Sequence, residues 1–124
     1  DVVVICPSNP FVSIDPILAL PGVRDAVAAR PALAVSPIIG GEAVKGPAAK
    51  MFRELVGEPS ALAVARYYRG LLAGFFVDRI DAEQARDIED LGVTVRVSDT
   101  WMPGLEQRIN LAREVLELAT ELVA

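Results

Sequence analysis

Histidine is missing from all 124 residues, so neither an imidazole general base nor an imidazole metal ligand operates within this segment. Cysteine occurs once, at Cys6, which excludes an internal disulfide and any multi-cysteine metal site. Positive charge is the minority sign. Twelve Lys and Arg against seventeen Asp and Glu leave a net charge of −5, which argues against a broad electrostatic grip on nucleic acid. A small anionic ligand stays open, because a nest of backbone N–H groups holds phosphate even on an acidic protein. No apolar run reaches the ~20 residues that span a bilayer. The chain opens at Asp1, without Met or a basic leader region, and enters a strand at once. These features predict a cytoplasmic protein with no membrane partner, and a chain whose upstream part is missing.

What is there is a folding composition. Apolar residues make up 52% and charged residues 23%, which excludes a disordered chain, and the length suits one compact domain. Four short β-rich runs stand out: Val2–Cys6, Ala32–Ser36, Gly74–Asp78 and Val93–Val97. The first is apolar without alternation, as expected of a strand covered on both faces. Helical stretches lie between them: Asp15–Leu20, Val23–Arg30, Pro47–Val56, Ala61–Leu72 capped by Ser60, and Ala82–Leu91 capped by Asp81. A last helix, about Leu105–Val123, carries Leu111, Val115, Leu118 and Leu122 on one buried stripe. Its apolar content also offers a homodimer interface. This alternation predicts an α/β fold: a Rossmann-like, mostly parallel sheet with flanking helices. In such sheets ligands sit beyond the carboxyl ends of the strands.

The unusual residues lie at those ends. After the first strand, three prolines stiffen a loop that carries Ser8, Asn9 and Ser13. Their hydroxyl and amide groups suit phosphate oxygens or a sugar, and Ser13 precedes a short helix. Each could instead cap a turn; three together at one strand end favour ligand contact. After the second strand, Ser36 leads to Gly40, Gly41 and Lys45. Paired glycines let a ligand approach the main chain, and Lys45 offers a mobile positive charge. The segment matches neither the Walker pattern nor the dinucleotide fingerprint, and glycines there equally punctuate a turn. After the fourth strand, Asp99 could bind a cation or a ribose hydroxyl, with turn capping favoured. Trp101 and Met102 could stack on a ring, with packing favoured. Asp78 and Asp81 make too weak a pair for a metal site. Cys6 reads as a small buried residue with no base to activate it.

Two loops together go further. Cys6-Pro-Ser-Asn-Pro-Phe-Val-Ser-Ile14, followed by Ser36-Pro-Ile-Ile-Gly-Gly and Ala43-Val-Lys-Gly-Pro-Ala-Ala-Lys50, closely resembles the 2-phospho-L-lactate transferase family, the CofD-like enzymes of coenzyme F-420 biosynthesis. Softer matches continue through Pro59-Ser-Ala61, Tyr67-Tyr68, Gly74–Asp78 and Val97–Met102 into the last helix. The resemblance implies a phospholactyl or phosphoenolpyruvyl group moved from a guanosine-diphosphate-activated donor to the ribityl hydroxyl of the deazaflavin FO. GMP would be released, with Mg²⁺ assisting. It assigns Ser8, Asn9 and Ser13 to the donor phosphates or the ribityl chain. Ser36, Gly40, Gly41 and Lys45 would form the second wall of the same cleft, with Asp99 and Trp101 at the rim. Family members are considerably longer and begin with a glycine-rich segment and acidic residues that would hold the donor and Mg²⁺. Residues 1–124 are therefore expected to be the carboxyl-terminal portion of a CofD-like domain, with no metal ligands of its own and no activity alone. Glu42 departs from the basic or neutral residue expected in the glycine loop. A related regulatory family gives the alternative: a non-catalytic module binding nucleotide-sugars or anions.

Overall fold

A computed structural model describes residues 1–43 and 46–124. Four parallel strands form the main sheet: β1 (Val3–Ile5), β2 (Ala32–Val35), β5 (Gly74–Asp78) and β6 (Thr94–Ser98), in the order β1-β2-β5-β6. The register runs Val4 to Leu33, Leu33 to Gly74, and Gly74 to Thr94. The expected Rossmann-like α/β fold is thus present.

A two-stranded antiparallel hairpin, β3 (Ile38–Ile39) and β4 (Glu42–Ala43), was not predicted. Its strands are two residues each, too short to leave a periodic pattern. Gly40 and Gly41 form its turn with φ of 61° and 83°, the paired left-handed conformations that a tight two-residue hairpin loop demands.

Helices cover both faces. On one side lie α1 (Asp15–Leu18), α2 (Val23–Ala28), α3 (Ala48–Leu55), α4 (Ala61–Tyr67) and α5 (Ala85–Glu89). Ala34, Phe75 and Val77 point that way and join Phe52, Val64 and Ile88 in a buried core. The alternate residues Leu33, Val35 and Phe76 point to the other face, where Leu111, Val115, Leu118 and Ala119 of α6 (Leu105–Val123) meet them. The predicted stripe on the last helix is therefore the buried one, with Leu122 half-buried beside it. Helix α6 sits hard against the strand backbone. A Cβ at Gly74 would come within 3.0 Å of Leu118 Cδ2 and 3.1 Å of Leu122 Cδ1.

Local chemistry sets most boundaries. Ser60 caps α4 as expected, its hydroxyl accepting from the Ala63 N–H at 2.9 Å. Asp81 does not cap a helix. A 3-10 turn spans Arg79–Gln84, and Asp78 caps it by accepting from the Ile80 N–H at 3.2 Å. The Asp81 carboxylate turns inward instead, accepting from the Gly40 N–H at 3.0 Å and from Gln84 Nε2 at 3.3 Å. This buried carboxylate anchors the hairpin turn to the 3-10 turn that follows β5, a contact 41 residues apart in sequence that no local pattern signals. Cys6 also differs from expectation: it is exposed, because β1 ends at Ile5 and the chain turns outward at the sheet's carboxyl edge.

Among the described residues no helix is long and apolar enough to cross a membrane.

Candidate functional site

The loop after β1 is held from behind by aromatic rings. Phe11 meets Phe52 of α3 edge-on, with centroids 4.9 Å apart, and Tyr67 of α4 at 5.0 Å. Such T-shaped pairs add about 0.5–1.5 kcal/mol each beyond their burial. The Tyr67 hydroxyl donates to Asp15 at the start of α1, so the helix that follows the loop is tied to the same anchor. Asn9 closes the arrangement: its Oδ1 accepts from the Phe11 N–H at 2.9 Å, and its Nδ2 lies 3.3 Å from Met51 Sδ. Phe11 therefore faces the core while Ser8 and Ser13 face away from it.

The Asp15–Tyr67 tether has a pH signature. Burial first, and the Asp15 hydrogen bond second, push the Tyr67 phenol up to about 12 from its ordinary 10.0. A phenol whose folded value is raised contributes its stability fully below pH 10 and loses it as pH rises through 12. The stability difference between the wild type and Tyr67→Phe should thus hold up to pH 10 and disappear towards pH 12 in denaturant unfolding series. A difference that fades before pH 10 would show that the tether does not form.

In front of this loop lies a hollow of about 510 Å³ at the carboxyl edge of the sheet. Pro7, Ser8, Asn9, Val12 and Ser13 line it from the β1 loop, Ser36 and Pro37 from the end of β2. Gly46, Pro47 and Ala48 contribute at the start of α3, Thr100 and Met102 after β6, and Arg108 from α6. Four of the candidate residues, Ser8, Asn9, Ser13 and Ser36, therefore share one cavity although the last lies a full crossover away in sequence. Ser36 Oγ is also spoken for locally, donating to the Ile38 carbonyl at 3.1 Å and accepting from the Ile38 N–H at 3.2 Å. Asn9 Oδ1 likewise serves as a cap. The turn-capping role thus holds for Asn9, and Ser36 is held in a local turn of its own, whereas Ser8 and Ser13 line the cavity without such a cap.

Other candidates lie elsewhere. Gly40 and Gly41 do not line this hollow; they are the hairpin turn, held by Asp81, and so do not form its second wall. Lys45 lies outside the described residues. Asp99 is exposed and pairs with Arg79 Nε at 2.8 Å. Trp101 is 60% exposed and lies beside Asp78 and the hairpin residues Ile39, Glu42 and Ala43. Glu42 is exposed, 3.1 Å from Arg53 Nη2, so its charge is spent outside the hollow.

Two polar lining residues were missed from sequence. Thr100 is buried and fixed by Asp78, whose Oδ1 accepts from its N–H at 2.9 Å and from its Oγ1 at 3.1 Å. Arg108 had a legible signal. Positions 108, 111, 115, 118 and 122 fall on one helical face, so Arg108 extends the apolar stripe one turn beyond the core. There it lines the hollow together with the loops that follow β1, β2 and β6. No three side chains of the metal-binding types converge among the described residues, and no carboxylate lines the hollow. A hard divalent cation wants several oxygen ligands; the described residues of the hollow do not fit that demand.

Comparison with known proteins is consistent with this architecture. The family model described as 2-phospho-L-lactate transferase CofD matches residues 1–100. A phosphoenolpyruvate transferase of Streptomyces griseus is 42% identical over 127 residues, covering all of this chain and 40% of the relative. One from Thermobifida fusca is 46% identical over 123 residues, covering 98% and 37%. A 2-phospho-L-lactate transferase of Methanopyrus kandleri is 42% identical over 124 residues, covering 99% and 39%. The chain thus spans about 40% of the length of these curated relatives. With a family model matched across both loops that build the hollow, the chain belongs to the 2-phospho-L-lactate transferase family.

Proposed function

We propose that the protein carrying this segment transfers a phospholactyl or phosphoenolpyruvyl group from a guanosine-diphosphate-activated donor to the ribityl hydroxyl of FO. A phosphodiester forms between the transferred group and that hydroxyl, and GMP leaves. The observation that carries the reading is the hydroxyl-lined hollow at the carboxyl ends of β1, β2 and β6, in a chain of this family. Relatives named for both donors match it at similar identity, so either three-carbon group is compatible.

The chemistry suits a site without histidine. Phosphoryl transfer depends on positioning and neutralisation of charge more than on covalent work by the protein. Ser8 and Ser13 would donate to phosphate or ribityl oxygens from a loop that Phe11 and the prolines keep rigid. Met102, Val12 and Pro37 would exclude water from one side of the bound group. Incubating the intact protein with FO and each activated donor is expected to yield a phosphodiester product with at least one of them. Binding without product would support the alternative of an anion-binding module, and the transfer reading would fall.

A further inference from the structure

On a chain of net charge −5, the hydroxyl-lined hollow stands apart from its neighbours. Four other surface concavities each carry at least one carboxylate: Glu114 and Asp99 in one, Glu117 in a second, Asp78 in a third, Glu58 in a fourth. The hollow lined by Ser8 carries none, and Arg108 is the one charged side chain among its described lining residues. Arg108 forms no ion pair with an acidic side chain among the described residues, a property it shares with Arg24 and Arg113 among others; what sets it apart is the carboxylate-free hollow it lines. Its backbone is fixed, the N–H donating to the Gly104 carbonyl in the first turn of α6. Arg108 is therefore a cation without an ion-pair partner among the described residues, on a helix that lines the same carboxylate-free cavity as Ser8 and Ser13.

We infer that Arg108 is a specificity-determining residue of this site, holding the phosphate of the activated donor against the serine wall. The inference rests on the preceding reading that a phosphate-bearing substrate occupies the hollow. A guanidinium presents two parallel N–H donors that match two oxygens of one phosphate, which an ammonium cannot reproduce. The neutral ribityl acceptor gains nothing from that fork. Arg108 thus separates the two substrates by charge, and acts on one of them only.

The test uses the intact protein and the variants Arg108→Gln and Arg108→Lys. Loss of a charge-assisted pair should raise the donor KM in Arg108→Gln by about tenfold to a hundredfold. The KM for FO should stay within about twofold, and Arg108→Lys should recover part of the donor affinity while its second hydrogen bond stays lost. Arg108 is exposed, so thermal unfolding should not move. Calorimetric titration with inorganic phosphate gives a readout free of turnover: binding by the wild type should weaken at least tenfold in Arg108→Gln. A donor KM unchanged in Arg108→Gln, or one that rises together with the FO KM, overturns the assignment while leaving the transferase intact. A wild type that makes no phosphodiester but binds phosphate through Arg108 removes the transfer reading and keeps the anion site. A wild type that neither turns over nor binds phosphate ends both.

Discussion

Phe52→Ala is expected to destabilise the intact protein by about 3–5 kcal/mol, the usual cost of removing a buried aromatic ring. Phe52 is fully buried and joins α3 to the β1 loop through Phe11, and to α4 through Tyr67 at a centroid distance of 6.0 Å. The cavity left behind lies beneath the loop that carries Ser8 and Ser13. The damage should therefore reach the site as well as the core: urea unfolding should shift strongly, and both substrate KM values should rise in whatever protein remains folded. Phe52→Leu, which keeps much of the volume, should retain most of the stability. A Phe52→Ala protein as stable as the wild type would mean that the aromatic anchor is not packed as described.

Asp78→Ala is the second large effect. Its carboxylate accepts three hydrogen bonds, from the Thr100 N–H, the Thr100 hydroxyl and the Ile80 N–H. Thr100 is only 3% exposed, so its donors would be left without a partner and without water. The expected cost is about 1.5–3 kcal/mol, as for hydrogen bonds to a charged group. Thr100 and Met102 form one wall of the hollow, so phosphate binding should weaken alongside stability. Asp78→Asn keeps one accepting oxygen and should lose less on both measures. Calorimetry and thermal unfolding on the two variants decide the matter; equal behaviour of Asn and Ala would remove the carboxylate from this role.

Much of the architecture could be read from residues alone because its signals are local. Short β-rich runs gave the parallel strands, although β1, apolar throughout, leaves Val4 39% exposed and so is not covered on both faces, and Ser60 gave a helix start. The 111-115-118-122 stripe gave a helix seated on the sheet. What escaped depended on contacts distant in sequence. The Gly40-Gly41 pair is compatible with a phosphate cradle and with a hairpin turn; the choice is made by two-residue strands and by the Asp81 carboxylate, neither of which has a periodic pattern. Asp81 looked like a cap because it precedes a helical stretch, yet a backbone N–H far along the chain holds it more tightly than its own helix does. The meeting of Ser8 with Ser36 followed from parallel topology, since both stand just after neighbouring strands. Arg108 was visible as a misfit on an apolar stripe, but its significance needed the position of the helix relative to the strand ends. Cys6 was read as interior because a strand was carried one residue too far.

The missing side chain at position 74 acts as a fulcrum. Leu118 and Leu122 bear directly on β5 there, while Arg108 stands at the other end of the same rigid rod, about 15 Å away at 1.5 Å per residue. A bulkier residue in that seat would tilt the rod, and a tilt of about 4° swings its far end by about 1 Å over that length. Displacements of that size are enough to spoil the alignment of reacting groups. Position 74 thus governs, by leverage alone, a cation it never touches.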